Sequence, residues 1–330
     1  MRFLLDAEQR EFGRTLDALL GAADVPAAAR AWAAGDPSPG RALWRRVADT
    51  GLFTLAVPEE FDGLGEMPVE LAVAFEQLGR HAVPGPYAET VAVASLAAGL
   101  ARAGSDGKAV LDGLLTGETL ATLSLPDTGP YVVDPDAADV LWAVERGDAP
   151  PWTLRAAPGH GMVRPGLDAA RRYAEPLPGG DVLAEGESVR QAALHAAALA
   201  RLATAAQALG VARALLDRTV AYVKQRTQFG TPIGAFQAVK HRLADTLIAV
   251  EFARPLVFGA ALTARPADLA AAKVAAGEAA YTAARTALQL HGALGYTAEF
   301  DLSLWLTKAR ALRDAWGTPG ECRAEVLAAG

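Results

Sequence analysis

Residues 225–246, "QRTQFGTPIGAFQAVKHRLADT", gather the side chains best suited to hold an anion. Arg226 offers a planar fork of donors that matches the oxygens of a pyrophosphate. Gly230 and Gly234 let backbone N–H groups approach such a group where the next helix begins. Gln237, His241 and Asp245 would share one polar stripe of that helix, beside its apolar face. A phosphate-bearing ligand fits these residues; so does an ordinary helical hairpin whose C-terminal Arg complements the helix dipole. A second segment, "QLHGALGYTAEFD" at residues 289–301, sets Gly292 and Gly295 behind a helix. They read either as helix stops or as bare backbone against which a flat ligand could lie.

Other chemistry is scarce. His81, His160, His195, His241 and His291 are scattered without HExxH spacing, so no metal site is expected. Cys322 is the sole cysteine, which excludes an intrachain disulfide and a cysteine-rich zinc cluster. GxSxG, P-loop and GxGxxG motifs are missing, which leaves serine hydrolases, P-loop enzymes and Rossmann dehydrogenases without support. With 52% hydrophobic residues, 21% charged and a net charge of -7, the sequence reads as a globular chain with no field to recruit nucleic acid. The apolar start is too short for a secretory segment, and no uninterrupted apolar run nears the roughly 20 residues of a membrane span. A cytoplasmic protein is expected.

The elements that must position these residues fall into three stretches: a helical N-terminal domain at 1–116, a shortened β middle domain at 117–186, and a four-helix bundle at 187–330. Within the first, "VPEEFDGLG" at 57–65 reads as an exposed connector. In the second, "LATLSLP", "DVLWAVE" and "WTLRAA" alternate with Pro, Gly and Asp, and the length allows five to seven strands. In the third, Leu199, Leu202, Ala206, Leu209, Ala212, Leu216, Val220 and Val223 predict one long helix with a single buried stripe. A second helix from about Ala235 aligns Phe236, Val239, Leu243, Leu247 and Val250, and Pro255 should kink or end it. An Ala-rich third and a fourth through Leu302, Trp305, Ala309 and Leu312 complete an antiparallel bundle. The fold class is mainly α with a small β domain, and the bundle offers an outer face to a copy or a relative.

Three stretches together resemble the acyl-CoA dehydrogenase family over about residues 4 to 320. "LWRRVADTGLFTLAVPEEFDGLGEMPVELAVAFEQLGR" is similar to its N-terminal signature, "RTQFGTPIGAFQAVKHRLAD" to its flavin-diphosphate motif, and "QLHGALGYTAEFD" to its glycine-rich segment near the adenosine half of FAD. The resemblance implies FAD as cofactor, contacted by Arg226, Gln228, Phe229 and Gln237 from one segment and by Gln289, His291 and Gly292 from the other. It further implies that the bundle lends these contacts to FAD seated on a neighbouring subunit. The family reaction takes an α hydrogen of an acyl-CoA as a proton and a β hydride onto FAD, giving a trans-enoyl thioester, and it needs a carboxylate base.

That base is missing from its usual positions. Counting along the family pattern puts Trp316, followed by Gly317-Thr318, where the Glu of a Glu-Gly-Thr turn belongs, and Ala200 at the alternative site on the first bundle helix. Neither accepts a proton at neutral pH. Ala198 replaces an acidic substrate contact, and "TLSLPDTGPYVV" lacks the Thr-Glu-Pro...Gly-Ser-Asp stretch that holds flavin and substrate within one subunit. The expectation is the base-lacking subunit of an α2β2 acyl-CoA dehydrogenase. It is similar to the short subunits of heteromeric family members that degrade steroid side chains. A longer paralogue would supply the Glu and most of the acyl-CoA site, with an electron-acceptor flavoprotein as a further partner. Two alternatives stay open: a self-sufficient enzyme using Glu299, Asp314 or Glu321, and a scaffold that has lost FAD. The Trp316 indole is expected to plug the thioester's place, unless it merely packs on the bundle rim.

Overall fold

The computed structural model describes residues 4–105, 107–148 and 152–329. Six helices come first: α1 (Ala7–Gly21), α2 (Val25–Ala33), α3 (Ser38–Ala48), α4 (Pro68–Arg80), α5 (Tyr87–Arg102) and α6 (Lys108–Leu115). Strands β1 (Ala56–Val57) and β2 (Gly65–Glu66) pair between α3 and α4. The stretch read as an open connector is therefore a small hairpin. It closes because Gly63 folds onto Val57, whose carbonyl oxygen would stand 1.8 Å from any Cβ at that position.

Seven strands follow: β3 (Ala121–Ser124), β4 (Val132–Val133), β5 (Val140–Arg146), β6 (Trp152–Ala156), β7 (Arg164–Pro165), β8 (Arg172–Ala174) and β9 (Asp181–Glu185). They form a four-stranded sheet ordered β3-β5-β6-β9 and a three-stranded sheet ordered β4-β8-β7. The rest is α7 (Glu187–Gln225), a hairpin of β10 (Thr227–Gln228) and β11 (Thr231–Pro232), α8 (Gln237–Thr263), α9 (Pro266–His291), α10 (Leu302–Asp314) and α11 (Pro319–Ala328).

The chain divides into two compact units, one of Ala22–Leu71 with Pro84–Ala203, the other of Met1–Gly21, Ala72–Val83 and Thr204–Gly330. The first unit holds both sheets. Helix α5 is buried on nearly every side there and is tied to β3 by Thr90, whose hydroxyl donates to the Ala121 carbonyl at 2.8 Å. Trp44 packs against Phe53 and Tyr87 at ring separations of 4.7 and 4.1 Å. The same unit holds a buried polar cluster: Arg171 meets Glu89 at 3.2 Å, and Asp134 accepts the Arg172 backbone N–H at 2.8 Å.

The second unit holds the bundle, in which α9 touches α8, α10 and α11. Two expectations need correction. Helix α7 does not bury a single stripe; from Leu202 to Leu216 almost every residue is buried. Small residues cause this: a Cβ on Gly210 would sit 1.9 Å from the Glu76 carbonyl oxygen, and one on Gly79 would sit 2.0 Å from that of Gln207. Backbone thus meets backbone where α4 crosses α7, and a helix enclosed on all sides is apolar all round. Helix α8 buries Val250 of the expected line, but Phe236 and Leu247 of that line are exposed, and Thr246, Ala253, Val257, Phe258, Ala260 and Ala261 are buried instead. It also runs through Pro255 to Thr263 without ending there.

Candidate flavin-diphosphate site

The Arg226 segment folds as a β-hairpin with register Thr227↔Pro232 and Gln228↔Thr231. Its two loop residues, Phe229 and Gly230, have φ of 53° and 78°. Two successive positive φ values define the type I′ turn, which favours Asn-Gly or Gly-Gly. Phenylalanine in the left-handed region costs about 1 to 2 kcal/mol, yet this ring is 92% exposed. The strain therefore gains the isolated chain little packing and points the ring outward, in an edge contact with Phe236 at 6.3 Å. Arg226, Gln228 and Gln237 are likewise exposed. The Arg226 carbonyl accepts the Ile233 N–H at 2.8 Å, which brings the start of α8 back to the end of α7.

The glycine-rich segment meets this hairpin through a ring stack. His291, the last residue of α9, lies 4.1 Å from the Tyr222 ring, and Arg226 N–H donates to the Tyr222 carbonyl one turn further along α7. Both segments therefore lie at one end of the bundle. His291 is only 5% exposed. Its Nδ1 is 2.8 Å from the Ala287 carbonyl, so that nitrogen carries the proton. Desolvation lowers the imidazole pKa despite the opposing Ala287 bond, which keeps the ring neutral at pH 7 with Nε2 as an acceptor. Gln289 and Gly292 are exposed, and Gly292 (φ 60°) would place a Cβ in open space. The exposed donors at the start of a long helix, with open glycine backbone beside them, suit a diphosphate and its attached nucleoside. Tyr222 was not singled out in the sequence, though its place one turn before Arg226 is the signal for it.

The Trp316 turn joins α10 to α11. Trp316 is half-buried with φ of 55°, and Gly317 follows with φ of 123°. Lys273 of α9, 1% exposed, donates to the Arg313 carbonyl at 2.9 Å and the Gly317 carbonyl at 3.1 Å. On the other side, Glu321 accepts from both the backbone N–H and the hydroxyl of Thr318 at 2.8 Å. That capping box occupies the Glu321 carboxylate, and Asp314 pairs with Arg310 and with Arg313 at 3.6 Å. Glu299 is exposed, and Ala200 is fully buried on α7. No group of three His, Cys, Asp or Glu able to hold a metal occurs among the described residues.

A further surface lies on α8, where the bundle turns apolar side chains outward. Leu247, Ile248, Phe252, Leu256 and Leu262 of α8 are all exposed, Phe252 to 73%. Beside them Leu216 and Val220 of α7 face Leu243 and Leu247 across an open groove of 620 Å³. Helices α7 and α8 are both long and apolar enough to cross a membrane, but the apolar window of α7 is 83% buried and that of α8 only 39%.

Comparison with known proteins agrees with this architecture. The model of the acyl-CoA dehydrogenase N-terminal domain matches residues 6–118, and that of the C-terminal domain matches residues 181–329. The acyl-CoA dehydrogenase IpdE2 of Mycobacterium tuberculosis is 35% identical over 317 residues, 95% of each chain. Among solved structures, a chain of the ChsE4-ChsE5 complex from Mycobacterium tuberculosis superposes with a TM-score of 0.82 at 24% identity, over 99% of this chain and 98% of that one. The Tcur3481-Tcur3483 steroid ACAD gives 0.81 at 24% identity, over 97% of each chain. Two family models, a full-length relative and a shared fold converge: this chain belongs to the acyl-CoA dehydrogenase family.

Proposed function

We propose that this chain is the base-lacking subunit of a heteromeric, FAD-dependent acyl-CoA dehydrogenase that desaturates an acyl-CoA thioester. The observation that carries the reading is an asymmetry of exposure and chemistry. Arg226, Gln228, Phe229, Gln237 and Gln289 all face outward at one end of the bundle, whereas Trp316 and Ala200 hold no carboxylate. FAD supplies the hydride acceptor of the family reaction when bound. This chain's part is to grip its diphosphate: Arg226 by a charge-assisted fork, Gln228 and Gln237 by amide donors, and the first turn of α8 by its backbone N–H groups. Gln289 and the open backbone at Gly292 flank the adenosine side. The α proton would go to a Glu of a longer paralogous subunit, which also holds most of the acyl-CoA.

The bare face of α8 supports a macromolecular partner. A patch of large apolar side chains along one helix marks an association surface. Glu251 lies in the middle of that helix, a placement costly in lipid but ordinary at a protein interface. The printed names of two structural neighbours, ChsE4-ChsE5 and Tcur3481-Tcur3483, describe pairs of different chains. Asp314 and Glu321 are already committed to Arg310 and to the Thr318 cap, which weighs against either serving as a lone base.

The test is flavin content. In the complex purified with its longer partner, Arg226→Ala in this chain should lower bound FAD at least tenfold, the loss of a charge-assisted contact. Unchanged flavin content would overturn the assigned role.

A further inference from the structure

Away from the hairpin, α1, α4, α7 and α8 line an open pocket of 360 Å³ whose wall carries Arg10, Arg14, Arg80, Arg213 and Arg254 against two acids, Asp17 and Glu76. It shares no lining residue with the Arg226 hairpin. In a chain of net charge -7 this is a local reversal of sign. Arg10 and Arg14 stand one turn apart on α1, on either side of Gly13. A Cβ at Gly13 would meet Val73 at 3.1 Å, so α1 lies close over α4, and Val73 lines the pocket.

The acids leave much of this charge unspent. Glu76 accepts from one nitrogen of Arg213 at 2.9 Å. Asp17 is taken by His81 at 2.8 Å and stands 4.0 Å from Arg80, whose other carboxylate neighbour, Asp217, is 3.5 Å away. Arg14 pairs with Glu11. Arg10 donates to the Leu5 carbonyl, and Arg254 lies over the Phe258 ring at 4.7 Å. Neither makes an ion pair among the described residues. Aromatic packing holds Arg254 in place while its edge N–H donors stay available.

We infer that this pocket binds a small phosphate-bearing anion, with Arg10 and Arg254 as its principal contacts and Arg80 and Arg213 closing the sides. Guanidinium forks from four helices match the several oxygens of a phosphate better than a single carboxylate. The volume falls in the range of small-molecule sites, about 300 to 1,000 Å³.

The probe is inorganic pyrophosphate, titrated calorimetrically into the full-length protein, with its partner if the two co-purify, at ionic strength held constant with sodium chloride. Saturable binding is expected. Measured in the Arg226→Ala background, which removes the hairpin's own claim on a diphosphate, Arg10→Gln and Arg254→Lys should each weaken it about tenfold. Arg10 is exposed on the first helix, so its variant should fold and keeps the test decisive if Arg254→Lys does not. Absence of saturable heat in the wild type would overturn the inference. So would binding in the Arg226→Ala background that survives Arg10→Gln.

Discussion

At the residue scale, Phe229 and Asp134 are two of the non-glycine residues held in the left-handed backbone region. Phe229 occupies the left-handed region at the tip of an exposed turn. Phe229→Asn supplies the Asn-Gly pair that this turn prefers, so it should stabilise the chain by about 0.5 to 1 kcal/mol in urea titrations while lowering flavin retention in the complex. Gain in both would show that the ring has no part in the site. Asp134 is the second: it is fully buried with φ of 48°, and burial pushes its carboxyl up to about 7 although Arg172 and Arg171 pull the other way. A carboxyl raised on folding contributes stability that is complete below about pH 4 and is lost as pH climbs through about 7. Asparagine tolerates the same backbone region and mimics the protonated form. Asp134→Asn should therefore gain on the wild type by about 2 to 4 kcal/mol between pH 4 and 8, read from urea midpoints. A constant difference across that range would refute it. The sequence placed Arg226 and its neighbours in one segment because their spacing is local. It could not reveal Lys273 beneath the Trp316 turn or Tyr222 against His291, because those contacts join separate helices.

At the element scale, glycine and alanine decide how closely helices meet. Gly210→Ala would drive a methyl into the Glu76 carbonyl, with 1.9 Å where van der Waals contact needs far more. It should cost at least about 2 to 3 kcal/mol, seen as a lowered Tm or as insoluble protein; a neutral effect would mean that α4 and α7 can slide apart. Helix α8 was legible as a helix but not in its buried face. Its outward Leu247, Ile248 and Phe252 fit an apolar period as well as the inward Val250, Ala253 and Val257 do. Periodicity identifies an apolar stripe, and it does not say whether the same chain or another one covers it. Phe252→Asp, a charge on that face, should weaken association with the partner by about 2 kcal/mol or more without unfolding this chain, measured by sedimentation at several concentrations. An unchanged association constant would remove α8 from the interface.

At the scale of the whole molecule, the order of helical, β and helical stretches was readable from the rhythm of glycine, proline and apolar residues, and the seven strands among the described residues of the β stretch match the upper end of the expected five to seven. How the stretches share their helices was not readable. The long α7 spans both compact units, and α1 joins the bundle from the opposite end of the chain. Long-range packing of that kind leaves no mark on local spacing. The division of labour proposed for the subunits rests on what this molecule lacks, a carboxylate at Trp316 and Ala200, together with what it exposes, the Arg226 hairpin. The most direct measurement is flavin content and acyl-thioester desaturation of the chain purified alone, compared with the chain purified with its longer partner. Colourless, inactive protein alone and yellow, active protein together are expected. A lone chain that retains FAD and desaturates an acyl thioester would contradict it.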